Sequence, residues 1–267
     1  VVSLFQSFQV NLEASSLEDA CDKMNRSLMI APYLLAFIGN ARYLNCQDTE
    51  TQDIRMISWE ISHDTSRVGL PGRYFRNIAD YLQRIGTFPF ILDAPESALA
   101  ISIGMTWLDT RVKFIGDSAI VELRLPSTQP TTDEEILFMF LYLGRLNYSQ
   151  ITCEPLLPIN LVKENRLSAM LYGLKRPMWF LNGDGSLVKL PANLGLKLEL
   201  ERAMTGLRYL GLSSAINQEL LNGVLRNGSP SNRLGRLLDP VDNISVYDME
   251  NALVETKMLV WLVGNKS

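Results

Sequence analysis

The chain has 267 residues, with 25 basic side chains, 29 acidic ones and a single histidine, for a formal charge of −4. That length can bury a substantial core, and an acidic balance gives no general pull toward nucleic acid or anionic membrane. With His63 as the only histidine, zinc sites built on paired histidines are excluded, and any Ser-His-Asp or Cys-His arrangement must use that residue. Cys21, Cys46 and Cys153 lie far apart with no CxxC, so they read as free thiols in a reducing compartment. The longest apolar stretch, residues 28–38, is interrupted by Pro32 and is too short to span a bilayer.

Residues 4–13 alternate, with Leu4, Phe8, Val10 and Leu12 on one face and Ser7, Gln9, Asn11 and Glu13 on the other, which predicts a strand. Ser15 and Glu18 have capping-box spacing and open a helix to about residue 36, bent or interrupted at Pro32. Residues 40–59 read as loop plus a short helix. Residues 63–73, with Gly69, Pro71 and Gly72, read as loop. Helical spacing covers 74–85, and 98–106 is ambiguous.

Residues 108–114 set Leu108, Val112 and Phe114 against Asp109, Arg111 and Lys113. Residues 119–125 set Ala119, Val121, Leu123 and Leu125 against Glu122 and Arg124. These are two strands, joined by a hairpin turn at Gly116-Asp117-Ser118. Thr132 with Glu135 gives a second capping box and a helix to about residue 147. Residues 164–173 are helical, and 179–190 form a hairpin turning at Asn182-Gly183-Asp184-Gly185. Helices over about 194–227 and 245–263 flank a break at Gly228-Ser229-Pro230-Ser231.

Antiparallel strands and helices in blocks, without βαβ alternation, predict an α+β class. The expected organisation is a single domain over 1–267, with the sheet and site in 1–150 and a mainly helical region in 151–267. One sheet face is polar, either as a solvated face or as a binding surface. Glu122 and Arg124, two apart on a strand, are roughly 6.5–7 Å apart on that face. Such a pair can hold a metal ion beside a phosphate, and equally it can be a cross-strand ion pair of little energetic weight. Neither GxxxxGK(S/T) nor GxGxxG occurs, which disfavours P-loop and dinucleotide folds.

Seven short blocks carry more information. Residues 7–13 resemble T-x-Q-V-N-L-D, and residues 35–43, with Gly39-Asn40-Ala41, resemble A-N-S-P-F. Residues 55–59, from Arg55 to Trp59, are similar to R-x-x-I-W, and 64–69, with Asp64, Arg67 and Gly69, to D-x-x-R-x-G. Trp107, Asp109 and Arg111 are similar to W-x-D-V-R. Glu122-Leu123-Arg124 followed by Gln129-Pro130 is similar to E-L-R…Q-P. Glu164-Asn165-Arg166 through Tyr172-Gly173-Leu174 resembles E-N-R-W-x-A-x-x-Y-G-L. In this order, over roughly residues 6–211, the blocks resemble the glutamate–cysteine ligase superfamily, especially the branch joining plant-type enzymes and bacterial carboxylate–amine ligases.

The resemblance implies a curved antiparallel sheet with helices packed on one side, of the glutamine-synthetase-like catalytic kind, whose concave face binds ATP, Mg²⁺ and glutamate. It implies that ATP phosphorylates the glutamate side-chain carboxylate and that the amine of cysteine attacks the acyl phosphate. Two alternatives stand beside it: a non-catalytic relative acting as an interaction or regulatory subunit, and the same chemistry with another amine. Position by position, Glu122 becomes a catalytic Mg²⁺ ligand and Arg124 a contact to the transferring phosphoryl group. Arg67 or Arg55 becomes the holder of the glutamate α-carboxylate, and Gln9 and Asn11 line the same pocket. Asp109, Arg111, Gln129 and Arg166 become neighbours of the site.

Each residue also has a plainer reading. Arg55 and Arg67 are solvated loop arginines, Gln9 and Asn11 a hydrophilic strand face, and Arg166 a helix-surface charge. Asp109 and Arg111 form a structural ion pair, and His63 is exposed and non-catalytic. The chain departs from the family pattern in lacking an upstream strand with an E-x-E pair of metal-binding glutamates. The expectation is therefore the C-terminal part of the family's domain, with its first strands missing, or a degenerate relative. Smaller departures are Arg42 and Tyr43 for Pro-Phe, Ser127 and Thr128 for an acidic residue, and Leu167 for tryptophan. The implied location is cytoplasmic, or plastid in a plant. The implied assembly is a homodimer or an association with an N-terminal portion.

Overall fold

Strand pairing follows the alternation of apolar side chains. The structure, a computed structural model, describes residues 7–62, 67–88 and 98–256. Strand β1 (Val10–Ala14) pairs antiparallel with β7 (Ser118–Leu123), and β7 pairs antiparallel with β6 (Thr110–Ile115), giving a three-stranded sheet. In between come β2 (Tyr43–Leu44), β3 (Gln47–Asp48), β4 (Val68–Gly69) and β5 (Trp107–Leu108). The register sets Asn11 opposite Glu122 and Glu122 opposite Arg111. Leu12, Val121 and Val112 share the other face. Short β4 lies parallel to β5 in a separate two-stranded sheet, which the chain leaves at Asp109 to enter β6.

Helix α1 (Leu17–Ile38) covers the apolar face. It runs on through Pro32, and most of its surface is buried. Its cap is Ser16, whose hydroxyl accepts from the Asp19 N–H, one residue later than the expected Ser15–Glu18 box. A similar slip of one residue occurs at α5 (Thr132–Ile151), which is capped by Thr131 through Glu134. Both starts are doublets of hydroxyl residues followed by adjacent acids, two in the first case and three in the second. Two cap registers were available, and burial of the apolar stripe chose between them.

The other helices are α2 (Ile54–Ser62), α3 (Ile78–Gly86), α4 (Ala98–Gly104), α6 (Ile159–Tyr172), α7 (Ala192–Tyr209), α8 (Gln218–Asn227), α9 (Pro230–Leu238) and α10 (Val246–Glu255). Strands β8 (Pro177–Leu181) and β9 (Leu187–Pro191) form the expected second hairpin. Helices α5 and α7 cross at Gly144 and Gly206, so closely that a Cβ on Gly206 would overlap the Gly144 carbonyl. α1 contributes to all three large apolar clusters: Ala20, Cys21 and Met24 to one, Met29 to Ala36 to the second, and Phe37 with Ile38 to the third.

The α+β class expected from the sequence is what the chain adopts, with small antiparallel sheets. Several expectations need correction. Residues 40–59 contain a hairpin, β2–β3, whose turn residues Asn45 and Cys46 both have positive φ. Residues 98–106 resolve into α4 and the turn that leads to β5. Gly228-Ser229-Pro230-Ser231 is not only a break: Ser229 caps α9 and Pro230 occupies its first turn. The expected strand begins in earnest only at Val10, and its residues 4–6, like His63, Asp64 and residues 257–263 of the last expected helix, lie outside the described residues. Among the described residues no helix is long and apolar enough to cross a membrane. The three cysteines are free thiols.

Candidate active site

The polar face of the sheet is exposed along β1 and buried at Asp109, Arg111 and Glu122. Glu122 is 1% exposed and Arg111 is 8% exposed. On that face Glu122 gathers three cations: Arg111 Nε at 2.5 Å, Lys113 Nζ at 3.2 Å and Arg124 Nη1 at 3.2 Å. Burial works to raise the Glu122 carboxyl, but Arg111, Arg124 and Lys113 together hold it below the ordinary carboxylate value. Arg111 is pinned from the far side by the carbonyls of Ile103, Gly104 and Thr106, at the end of α4. Burial, and next the charge of Arg111, pull the Arg124 guanidinium below its usual value, with Glu122 opposing.

Asp109 and Arg111, expected as partners, belong to separate pairs. Asp109 takes two hydrogen bonds from Arg166, 2.5 Å from Nε and 3.0 Å from Nη2. Arg166 Nη1 is also 2.5 Å from Glu60 of α2. Arg166 is thus no surface charge but a buried bridge from α6 to the sheet and to α2. Burial opposes its charge, and Asp109 and then Glu60 more than restore it, so its pKa is raised. Gly69, at φ +80°, makes room for the bridge: a Cβ there would stand 2.5 Å from Glu60 Oε1 and 3.2 Å from Arg166 Nη2.

Next to this network is a cleft of about 360 Å³ whose polar wall is Ser7, Arg55, Asp109 and Arg124. Trp59 and Trp107, with ring centroids 5.6 Å apart, form part of its apolar side. Arg55 donates to the carbonyls of Leu125 and Pro126 and lies 3.5 Å from Asp53, which also receives the Ser127 hydroxyl. It is therefore a buried, anchored arginine rather than a solvated loop residue. Arg67 borders the cleft through Val68, and its carbonyl accepts the Trp107 N–H. It is 4% exposed, its guanidinium is 5.3 Å from the Phe88 ring centre, and Nη2 finds no hydrogen-bond acceptor among the described residues.

The remaining expected residues lie around this centre. Gln9, just ahead of β1, and Asn11 within it are exposed, and the Gln9 amide donates to Ser7, at 3.3 Å. Gln129 is buried away from the cleft, donating to the carbonyls of Ile38 and Ser127 and tying the 126–130 loop to the end of α1. So the structure brings together Arg55, Asp109 and Arg124, with Glu122, Arg111 and Arg166 paired behind them, Arg67 adjoining through its backbone with its side chain over Phe88, and Gln129 elsewhere. Sequence reasoning missed Asp53, Glu60, Lys113, Trp59 and Trp107 as members of this region. Lys113 stood on the polar face already assigned to its strand. Asp53 and Glu60 flank the 55–59 block, where carboxylates near an arginine that the resemblance implies for the site were the available signal.

Paired guanidinium groups in a partly dry cleft are suited to carboxylate and phosphoryl oxygens, which they bind bidentately. A magnesium ion is another matter. It takes about six oxygen ligands in octahedral geometry, usually including one or two carboxylates. Glu122 already holds three cations, and among the described residues no three His, Cys, Asp or Glu side chains converge. The donor set at Glu122 does not fit the ion.

The fold and the cleft define an α+β protein with an arginine-walled cleft beside its sheet. The model of glutamate-cysteine ligase family 2 matches residues 2–218, and the chain belongs to that family. A comparison with curated proteins gave no match. The family is one of carboxylate–amine ligase-type enzymes.

Proposed function

We propose that the chain acts in an ATP-dependent carboxylate–amine ligase of glutamate–cysteine ligase type, which makes a γ-glutamyl amide through an acyl phosphate. The observation that carries this is the meeting of Arg55, Asp109 and Arg124 in one cleft, in a member of this family. Arg124 is the proposed contact to the acyl phosphate oxygens, and Arg55 or Arg67 the proposed holder of the glutamate α-carboxylate. Their guanidinium forks keep these anions in place and stabilise charge as the phosphate leaves. The acceptor amine supplies the nucleophile, so no covalent enzyme nucleophile is needed, in keeping with a single histidine. Cysteine is the proposed amine, and ATP with Mg²⁺ the proposed cofactors, the metal held by carboxylates other than Glu122. A cytoplasmic location and a homodimer belong to the same proposal.

The test is ADP release by the intact protein given glutamate, an amine, ATP and Mg²⁺. Arg124→Ala is expected to lower the rate about 10²–10³-fold, the typical effect of removing one charge-stabilising donor. A second reading, a non-catalytic relative with a binding or regulatory role, is favoured by one observation: Glu122 is neutralised by Arg111, Lys113 and Arg124. ADP release no higher than that of Arg124→Ala, together with calorimetric glutamate binding, would decide for it.

A further inference from the structure

A second cleft, of about 740 Å³, lies where the chain beyond residue 218 packs on the family-matched part. Its cations come from separate places: Arg42 ahead of the β2–β3 hairpin, Lys175 after α6, Arg226 at the end of α8 and Arg236 at the end of α9. Asp239 is the one carboxylate among its lining residues, and Arg42 Nη2 lies 2.6 Å from it and 2.6 Å from Asp48. Four cations against two carboxylates leave an excess of positive charge, in a chain whose net charge is −4. Lys175, Arg226 and Arg236 are exposed, and among the described residues none of them is in an ion pair. Leu174 and Leu225 add an apolar wall, and Asn227 and Asn232 add amides.

Holding like charges around one concavity is unfavourable unless an anion enters, and two arginine forks favour tetrahedral oxyanions. The apolar wall leaves space for an organic body attached to such a group. We propose that this cleft binds a small organic phosphate, at a site separate from the Arg124 cleft. Polycarboxylates share the charge but not the tetrahedral geometry.

The experiment is titration calorimetry on the full chain with pyrophosphate, glycerol 2-phosphate and citrate, at low and moderate salt. Both phosphates are expected to bind, more weakly as salt rises, and citrate to bind at least tenfold more weakly. Arg226→Glu combined with Arg236→Glu is expected to reduce phosphate affinity at least tenfold, with an unchanged circular dichroism spectrum and melting point. Lys175→Gln, at an exposed site, is the second variant should that pair fail to fold, and should weaken binding about threefold. Arg124→Gln should leave the affinity unchanged. Silence of the wild-type protein, citrate binding as tightly as the phosphates, affinity unaltered in both cleft variants, or loss in Arg124→Gln alone would overturn the proposal.

Discussion

Arg166→Met puts the buried bridge to a quantitative test. In the folded chain Arg166 satisfies Asp109 through hydrogen bonds of 2.5 and 3.0 Å, and Asp109 is 1% exposed. Methionine keeps most of the apolar stem and removes the charge, so the loss is mainly electrostatic. Breaking a buried pair by deleting one partner costs about 3–5 kcal/mol, because the other charge stays behind. The third member, Glu60, retains 32% side-chain exposure, so water replaces its lost contact at little cost. Against a total stability of about 5–15 kcal/mol the change is large. With a urea slope near 3 kcal/mol per molar, the midpoint should fall by about 1–1.7 M. Adding Asp109→Asn removes the stranded charge, and the double variant should regain about 1–3 kcal/mol. A midpoint shift below about 0.3 M, or a double variant less stable than Arg166→Met, would refute the buried-bridge reasoning.

Gly206→Ala forces a methyl group into the Gly144 carbonyl and should cost about 1–3 kcal/mol or more by chemical denaturation, while Gly183→Ala, in open space, should behave like wild type. Thr131→Ala should cost about 1 kcal/mol and Thr132→Ala a few tenths, since Thr131 holds the Glu134 N–H. For Asp19, partial burial works to raise the carboxyl, but Lys23, the Ser15 N–H and Gln150 bring it down to about 2. A depressed carboxyl adds stability that is present above its unfolded value, near 3.9, and lost as the pH falls through about 2. The stability gap between wild type and Asp19→Asn, followed by urea midpoints, should therefore close between about pH 4 and 2.

The sheet and its polar face were legible because a period of two assigns faces without knowledge of partners: Glu122 and Arg124 share a face, as their spacing requires. Pair identity was not legible in the same way. Asp109 and Arg111 are also two apart, yet the first is claimed by α6 and the second by β7. Such choices depend on long-range packing, which local spacing does not encode. The capping doublets Ser15-Ser16 and Thr131-Thr132 failed by one residue for a related reason, since either hydroxyl satisfies the local chemistry. The β2–β3 turn was hidden because Asn45 and Cys46 adopt positive φ without a glycine to announce it. Burial of the arginines was hidden too. Their number suits a wet surface, and only the folded chain shows carbonyls and carboxylates waiting for Arg55, Arg111 and Arg166.

Helix α1 has a consequence for how the molecule comes apart. Because one continuous rod lends side chains to three apolar clusters, none of them can melt while the others keep their packing. Amide protons along α1 should exchange only through global unfolding, and at one common rate limit. The small cluster of Leu234, Leu238 and Ala252, between α9 and α10, receives nothing from that rod. Its amides should exchange sooner, through a private opening that leaves the sheet, the arginine network and α1 intact.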